Sequence, residues 1–203
     1  LDGLKKFDSI IFAGSLCKIF RRYKNDFHKN KYLISSKNKN KIIRQSYFRD
    51  KNKLQVGLSW KSVVSIYGKL KSLDLLDFRD LFKKNRQIIN LQYGDVKEEI
   101  KKIENENLKI YSFEDVDLFN DLEGCMSVLE CLDVFVTVSN TTAHIAAAMG
   151  IKTILICPKK SSTYFYWNNE NNLTPWYKDV KIIKVSGSIK STIQKIDNLL
   201  EQI

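Results

Sequence analysis

From Leu54 onward, short apolar runs alternate with amphipathic segments, and this alternation limits the possible folds more than any other feature of the chain. Six runs predict strands: Gln55–Trp60, Gln87–Leu91, Leu108–Ser112, Val134–Val138, Thr153–Cys157 and Lys181–Val185. Five windows between and after them predict helices: Leu73–Lys83, Val96–Asn105, Cys125–Cys131, Thr142–Met149 and Ile189–Leu200. Strands that alternate with helices indicate an α/β, Rossmann-like, doubly wound parallel sheet over residues 54–203.

The first 53 residues differ in charge and pattern from the rest of the chain. They hold 15 basic and 4 acidic residues, so the whole formal net charge of +11 lies in this N-terminal extension. Asp8–Leu16 looks like a strand that ends at Gly14, followed by an amphipathic basic stretch through Phe27. The polar residues 25–53 indicate a linker or an extended crossover. Contact with nucleic acid or an anionic membrane is one interpretation of the basic charge, but Lys is abundant throughout and no aromatic interleaving supports it.

Composition excludes several classes of protein. A hydrophobic content of 43% in 203 residues is enough for a core, which argues against disorder. Four cysteines without a CxxC pair, and only two histidines, do not suit a disulfide framework or a zinc site, so we expect a reducing, cytoplasmic compartment. No run of about 18 apolar residues predicts a membrane span. Leu1 in place of Met leaves open a natural start further upstream.

The strongest candidate site follows the predicted strand Val134–Val138. Ligands of doubly wound sheets bind beyond the carboxyl ends of the strands. Here a helix starts at once, and Ser139 or Asn140 can cap it, which leaves the backbone amides of Thr141, Thr142 and Ala143 without helical acceptors. Such amides and the positive helix end suit phosphate oxygens, and the hydroxyls and His144 add donors. Ordinary capping and a structural histidine are the alternative interpretation.

Two further clusters follow the first two predicted strands. Trp60 and Lys61, with Lys71 further along, face the same sheet edge, where a lysine could neutralise a diphosphate; a solvated lysine is the alternative. Gln92 and Tyr93 end the second strand and suit a planar base or a plain turn. The aromatic loop 161–177 suits either a lid over a sugar or packing between subdomains.

Other nucleotide and metal sites are disfavoured. No GxGxxG follows a predicted strand and no P-loop is present, which argues against a dinucleotide dehydrogenase or an NTPase. Asp115 and Asp117 form a DVD sequence, but it does not end a predicted strand, so we interpret it as a solvated acidic turn. We therefore expect neither a metal nor a separate cofactor.

Taken together and in order, these segments resemble the C-terminal half of GT-B glycosyltransferases. The resemblance is carried by VGLSWKS, KSLDLLDFRDLF, INLQYGD, DLFNDLEG, LDVFVTVSNTTAHIAAAMG and TPWY, which cover roughly residues 54–185. More narrowly, the segments look like bacterial proteins that join tetratricopeptide repeats to a transferase domain, and they are similar to ADP-heptose heptosyltransferases and, more distantly, to O-linked N-acetylglucosamine transferases. FAGSL and KYLIS look like the end of the acceptor-side domain and the crossover, which implies a division into residues 1–53 and 54–203.

The resemblance implies that the chain binds a nucleoside-diphosphate sugar for metal-independent transfer to an acceptor hydroxyl. Asn140, Thr141, Thr142 and His144 would hold the diphosphate, and Lys71 would be the second phosphate partner. The residues implied to line the donor cleft are Trp60, Lys61, Gln92, Tyr93 and Ser139. Lys71 and His144 would stabilise the leaving group; no general base is assigned.

Two departures from the family pattern keep a second function open. Heptosyltransferases commonly have an acidic residue where Ser139 stands, and the acceptor-side domain is almost absent from these 203 residues. The chain is therefore either the donor-binding part of a larger enzyme or a non-catalytic GT-B-like module. Nucleic-acid binding by the basic extension is a third hypothesis. The base, sugar, acceptor and stereochemical outcome are left open by the sequence.

Overall fold

The computed structural model describes residues 7–28, 30–48, 50–63, 68–158, 166–167 and 173–203. The strands within these ranges are β1 Leu54–Ser59, β2 Arg86–Asn90, β3 Ile110–Tyr111, β4 Val134–Val138, β5 Thr153–Cys157 and β6 Val180–Lys184. The α-helices are α1 Ala13–Phe20, α2 Lys37–Tyr47, α3 Gly68–Lys71, α4 Lys97–Asn105, α5 Leu122–Leu129, α6 Thr141–Met149 and α7 Ile189–Leu200. Lys24–Asp26 and Leu75–Leu81 are 3₁₀ helices.

The described strands form one parallel sheet in the order β3-β2-β1-β4-β5-β6. The chain moves outward from β1 to β3, returns to the centre at β4, and then moves outward on the other side. The switch therefore lies between β1 and β4, where Ser59 is in register with Thr137. The predicted doubly wound, Rossmann-like α/β fold is confirmed. This topology places the carboxyl ends of β1, β2 and β4 side by side.

Helices cover both faces of the sheet. One core cluster packs the 3₁₀ helix Leu75–Leu81, α4 and α7 against the sheet, with Phe78, Ile103 and Ile196 fully buried. The other face carries α5 and α6, which pack around Phe135. Every residue of β2, β4 and β5 is buried, so each of these strands contributes apolar side chains to both faces.

The helix predicted from Leu73 to Lys83 is a 3₁₀ helix over Leu75–Leu81. Leu75, Phe78 and Leu81 are fully buried and recur every three residues, which is the period of a 3₁₀ helix rather than 3.6. Asp74 starts it by accepting a hydrogen bond from the Leu76 amide. The period-three spacing was the sequence signal for this difference.

The strand predicted to end at Gly14 is wrong. Residues 7–12 have no regular structure, and Ala13–Phe20 is a helix in which no residue is buried. A strand needs a neighbouring strand to accept its backbone hydrogen bonds, and no described strand lies beside this segment. Large apolar side chains are exposed here instead, including Phe12 at 83% and Phe20 at 61%.

The segment predicted as a linker or crossover contains a docked helix. The side chain of Ser36 caps α2, whose Ile43 is buried with Phe48 against the cluster that includes α5. Lys39 Nζ lies 2.6 Å from Asp121 Oδ2 at the start of α5. A domain boundary between residues 53 and 54 stays a prediction. Within the described ranges, no helix has both the length and the apolar character needed to cross a membrane.

Replacement of Gly57 by Ala is expected to destabilise the fold. An added Cβ would lie 2.7 Å from Leu91 Cδ1 and 3.0 Å from Phe135 Cδ2, and would also strike Leu132. Overpacking of this kind costs about 1–3 kcal/mol, measurable by urea unfolding. Gly14→Ala is the control, because nothing lies within 4 Å of a Cβ there. Equal free energies of unfolding for Gly57→Ala and Gly14→Ala would contradict the close packing described around Gly57.

Candidate functional site

The candidate site lies where β4 passes directly into α6. Asn140 is the N-cap of α6, and its Oδ1 accepts a hydrogen bond of 3.0 Å from the Ala143 amide. The cap therefore uses one of the amides predicted to be available, while the amides of Thr141 and Thr142 stay without a helical acceptor. Thr141 is exposed and Thr142 is 3% exposed. Two backbone donors at a positive helix end thus face the carboxyl edge of the sheet.

A buried hydrogen-bond network joins three strand ends at this edge. Gln92 Oε1 accepts from Ser59 Oγ at 3.0 Å and from the amides of Trp60 and Lys61 at 3.0 and 2.8 Å. Asn140 Nδ2 donates to Ser59 Oγ at 2.8 Å and to the Lys61 carbonyl at 3.5 Å. Gln92 Nε2 donates to the carbonyl of Tyr93. The side chains of Gln92 and Asn140 are thus engaged with protein groups, and they hold the loops after β1 and β2 against α6.

His144 stands in the first turn of α6 within an aromatic cluster. Its ring stacks on Trp167 at 4.5 Å between centroids and meets Tyr166 edge-on at 4.8 Å. Its Nδ1 lies 3.0 Å from the Tyr177 hydroxyl. Burial, followed by the charge of Lys71, lowers the pKa of His144 to about 4. The imidazole is therefore neutral at neutral pH.

Lys71 and Ser139 are both buried. Lys71, at the end of α3, is 5% exposed, and its effect on the pKa of His144 places its charge within electrostatic range of that ring. Ser139 is also 5% exposed, and its Oγ accepts a hydrogen bond of 3.1 Å from Trp167 Nε1. Ser139 therefore anchors the aromatic cluster on the end of β4.

Trp60 and Lys61 make contacts with α4. Trp60 is fully buried, and its Nε1 lies 3.3 Å from Glu99 Oε1. Lys61 Nζ pairs with Glu99 Oε2 at 2.6 Å, with the side chain one-quarter exposed. In this arrangement the Trp60 indole belongs to the core, and Lys61 would have to leave Glu99 to meet a phosphate.

Tyr93 lies beside the start of α6. Burial raises the pKa of the Tyr93 phenol, while a hydrogen bond with the Thr141 side chain acts in the opposite direction. The Tyr93 ring also lies 6.0 Å from the exposed ring of Phe119. The structure thus brings Tyr93, Thr141, Thr142, His144 and Lys71 to one edge of the sheet.

Several contacts among residues at this edge could not be predicted from the sequence. The sequence places Ser59 near the end of a predicted strand but does not indicate its hydrogen-bond partners. The contacts of Glu99 could not be predicted, because its sequence position is that of an ordinary surface carboxylate on a helix. Trp167 and Tyr177 belong to the aromatic loop whose role was left open, and the structure packs both against His144. Tyr164 and Phe165 of that loop lie outside the described residues. Trp176 contacts Phe27 edge-on at 4.8 Å, so the N-terminal extension also reaches this loop.

Both carboxylates of the acidic DVD sequence accept hydrogen bonds from protein groups. Asp115 accepts a hydrogen bond from the Tyr47 hydroxyl. Asp117 accepts bonds from the amides of Phe119 and Asn120 and from the Asn120 side chain, which lower its pKa. Both carboxylates thus have protein partners away from the start of α6.

A large groove lies elsewhere, along the edge strand β6 and α7. It has a volume of about 1160 Å³ and is lined by β6 from Val180 to Lys184, by Leu199 of α7, and by Val134 and Thr153 among others. Ligands of doubly wound sheets bind instead beyond the carboxyl ends of the strands at the switch point, which here lies between β1 and β4. The convergence of polar groups, rather than cavity size, therefore identifies the candidate site.

Comparison with curated proteins gives a distant relative, and no family model matches the chain. Protein FlbA of Caulobacter vibrioides is 28% identical over 130 residues, which are 63% of this chain and 21% of FlbA. The chain therefore spans about one-fifth of the length of that relative.

Solved structures with a similar fold include heptosyltransferases and a glycosyl transferase family 9 protein. Escherichia coli ADP-heptose lipopolysaccharide heptosyltransferase II aligns with a TM-score of 0.58 at 13% identity, covering 90% of this chain and 58% of that chain. The glycosyl transferase family 9 protein of Veillonella parvula gives 0.56 at 9% identity, with 85% and 54% covered. E. coli heptosyltransferase WaaC with ADP gives 0.52 at 15%, with 88% and 53% covered.

At these low sequence identities, the similarity to the solved structures is one of fold. The chain spans about half of each solved structure, and the predicted similarity to heptosyltransferases is confirmed at that level. The narrower resemblance to tetratricopeptide-repeat proteins and O-linked N-acetylglucosamine transferases stays a prediction. The chain has the Rossmann-like fold found in GT-B heptosyltransferases.

Proposed function

We propose that this chain is the donor-binding part of a glycosyltransferase and binds a nucleoside-diphosphate sugar at the start of α6. The observation that carries the proposal is that the Thr141 and Thr142 amides and His144 start α6 at the same carboxyl edge of the sheet as the buried Lys71. Two residues after Lys71, the Leu73 amide is bonded to the Trp60 carbonyl after β1. Backbone donors, a helix N-terminus and a lysine together suit a diphosphate. WaaC, which shares the fold, is described with bound ADP, and this supports the same ligand class here.

The same groups would assist departure of the nucleoside diphosphate. When an acceptor hydroxyl attacks the anomeric carbon, the bond to the leaving oxygen breaks and negative charge develops on the diphosphate. Preorganised donors and a positive charge stabilise that charge without reorganising. We propose that Lys71 and the α6 amides do this without a metal ion, so a chelator should leave diphosphate binding intact.

His144 would act as a neutral hydrogen-bond donor. Burial raises the pKa of the Tyr177 phenol, so its O–H stays protonated and can donate to His144 Nδ1, 3.0 Å away. We assign the tautomer in which Tyr177 donates to Nδ1 and the proton of the neutral imidazole resides on Nε2. That N–H is the group we assign to a phosphate oxygen, because the low pKa of His144 argues against an imidazolium.

The remaining assignments belong to the same proposal. Asn140, Gln92 and Ser139 would support the site from within, whereas Tyr93 and Lys61 would line the donor cleft, the latter after release from Glu99. An acceptor-side domain would cover the apolar side chains that α1 exposes, because such patches mark interaction surfaces. Residence in the bacterial cytoplasm, tetratricopeptide repeats and the identity of the acceptor stay predictions.

A calorimetric and thermal-shift screen tests the proposed function. UDP, ADP, GDP and CDP are compared, each with and without EDTA, and a short RNA serves as a control ligand. A diphosphate that binds only the folded state raises its melting temperature by mass action. A selective response that survives EDTA supports the proposal and identifies the base. If none of the four nucleotides binds and RNA binding weakens with added salt, nucleic-acid binding by the basic extension would be favoured instead.

A non-catalytic GT-B-like module is the second candidate. It is favoured by Ser139, because heptosyltransferases commonly have an acidic residue in place of this serine. The Ser139 hydroxyl here accepts a hydrogen bond from Trp167 instead. Release of free nucleoside diphosphate from a nucleotide sugar by the full-length protein separates the two candidates. Binding without release indicates a module that has lost catalysis.

Lys71→Ala is expected to weaken diphosphate binding selectively. Loss of the charge should reduce affinity for the selected diphosphate by about tenfold or more, while the matching nucleoside binds as before. Lys69→Ala is the matched control, because Lys69 lies in the same short helix with an exposed side chain. Titration calorimetry measures both ligands. An equal loss for nucleoside and diphosphate would mean that Lys71 does not act on phosphate.

A further inference from the structure

We infer that Ser59 is a positioning residue for the diphosphate site, an inference that rests on the proposed function. Ser59 is the last residue of β1 and is fully buried, so a ligand at the sheet edge cannot touch its side chain. Its hydroxyl nevertheless stands between the two side chains that organise the site. Any effect of Ser59 on binding must therefore pass through those neighbours.

The hydroxyl of Ser59 makes two bonds that no apolar side chain can replace. It donates to Gln92 Oε1 at 3.0 Å, and its oxygen accepts from Asn140 Nδ2 at 2.8 Å. Asn140 in turn caps α6 through its Oδ1, and Gln92 holds the amide of Lys61. One hydroxyl thus links the loop after β2, the end of β1 and the first turn of α6.

This link determines where the phosphate donors point. The Asn140 side chain can orient the first turn of α6 only while its amide group is held, and the hydroxyl of Ser59 is its shortest acceptor at 2.8 Å, against 3.5 Å to the Lys61 carbonyl. Small displacements of preorganised donors weaken their action on a charged ligand. Ser59 therefore controls the orientation of the Thr141 and Thr142 amides without contacting the ligand.

Residue Thr137 provides a matched control. It is the register partner of Ser59 on β4, it is also fully buried, and its hydroxyl donates only to the adjacent Val138 carbonyl at 3.0 Å. Thr137→Val removes a buried hydroxyl at the same level of the sheet while leaving the network intact. Ser59→Cys is a milder variant, since a thiol can still donate and accept weakly at this position.

The test uses amide hydrogen exchange and ligand affinity on the whole chain. Ser59→Ala should speed exchange at the amides of Lys61 and Ala143, whereas Thr137→Val should leave both unchanged. Affinity for the diphosphate selected by the screen should fall by about tenfold in Ser59→Ala, less in Ser59→Cys and not in Thr137→Val, with nucleoside affinity retained in all three.

The outcomes separate this inference from the proposed function. Unchanged exchange at Lys61 and Ala143 in Ser59→Ala, or wild-type diphosphate affinity in that variant, overturns the positioning role. An equal loss for nucleoside and diphosphate also overturns it, because a general structural defect would weaken both. If the wild-type protein binds none of the four diphosphates, the proposed function fails, and with it any role of Ser59 in binding, whereas exchange still reports whether Ser59 orders α6.

Discussion

Arg86→Met is expected to lower the free energy of unfolding by about 3 kcal/mol, because the buried Asp197 carboxylate loses its buried partner and keeps only the partly exposed Lys83. The Arg86 side chain is 1% exposed at the start of β2. Its Nη1 lies 2.6 Å from Asp197 Oδ1 and its Nη2 lies 2.5 Å from Glu201 Oε1. These bonds attach the C-terminal part of α7 and the following residue to the sheet. Urea unfolding of wild type and variant measures the loss.

Two further variants test the cause of that loss. Arg79→Met removes an exposed arginine whose nearest carboxylate oxygen, on Glu106, is 3.9 Å away, and we expect a change within about 0.5 kcal/mol. The double variant Arg86→Met/Asp197→Leu removes both buried charges and should recover much of the stability, because an apolar pair often replaces a buried ion pair without loss. A double variant no more stable than Arg86→Met would attribute the effect to packing instead.

Acidification from pH 6.5 to 4 is expected to cost about 3 kcal/mol of stability through His144 alone. In the unfolded chain this histidine has a pKa near 6.5, and in the folded protein burial and Lys71 lower the pKa to about 4. Between these pH values the unfolded state binds a proton that the folded state does not. The stabilisation is therefore complete above pH 6.5 and is lost as the pH falls toward 4.

The contribution of His144 can be isolated by substitution. His144→Gln cannot titrate, so its stability should depend less steeply on pH between 6.5 and 4 than that of the wild type, as measured by urea unfolding at several pH values. Tyr177→Phe keeps the buried imidazole and should retain the steep dependence. Asp197 affects stability over a lower pH range than His144. Burial opposes its ionisation, but hydrogen bonds from Lys83 and Arg86 outweigh burial and lower its pKa. A wild-type slope in His144→Gln would place the titrating group elsewhere.

Local patterns in the sequence were sufficient for the sheet and for the start of α6. The runs VFVTV and TILIC are continuously apolar or β-branched, and such runs suit strands that are buried on both faces of a sheet. They therefore predict central parallel strands, and every residue of β4 and β5 is buried. The cap of α6 is equally local, because Asn140 bonds to an amide three residues away. The period-three spacing of Leu75, Phe78 and Leu81 was also present in the sequence and predicts the 3₁₀ helix once it is recognised.

The tertiary structure alone decided which groups meet. Asp8–Gly14 has the composition of a strand, yet a strand forms only beside another strand, and none of the described ones lies there. The partners of Ser59 are 33 and 81 residues away, and Tyr177 lies 33 residues from His144. Contacts over such separations depend on strand order and on the path of each crossover. The sequence by itself therefore determined the central strands and the cap at the start of α6. Packing decided that Ser59, Gln92 and Asn140 would hold the loops after β1 and β2 against α6, because a buried polar group takes whichever partner the fold brings within reach.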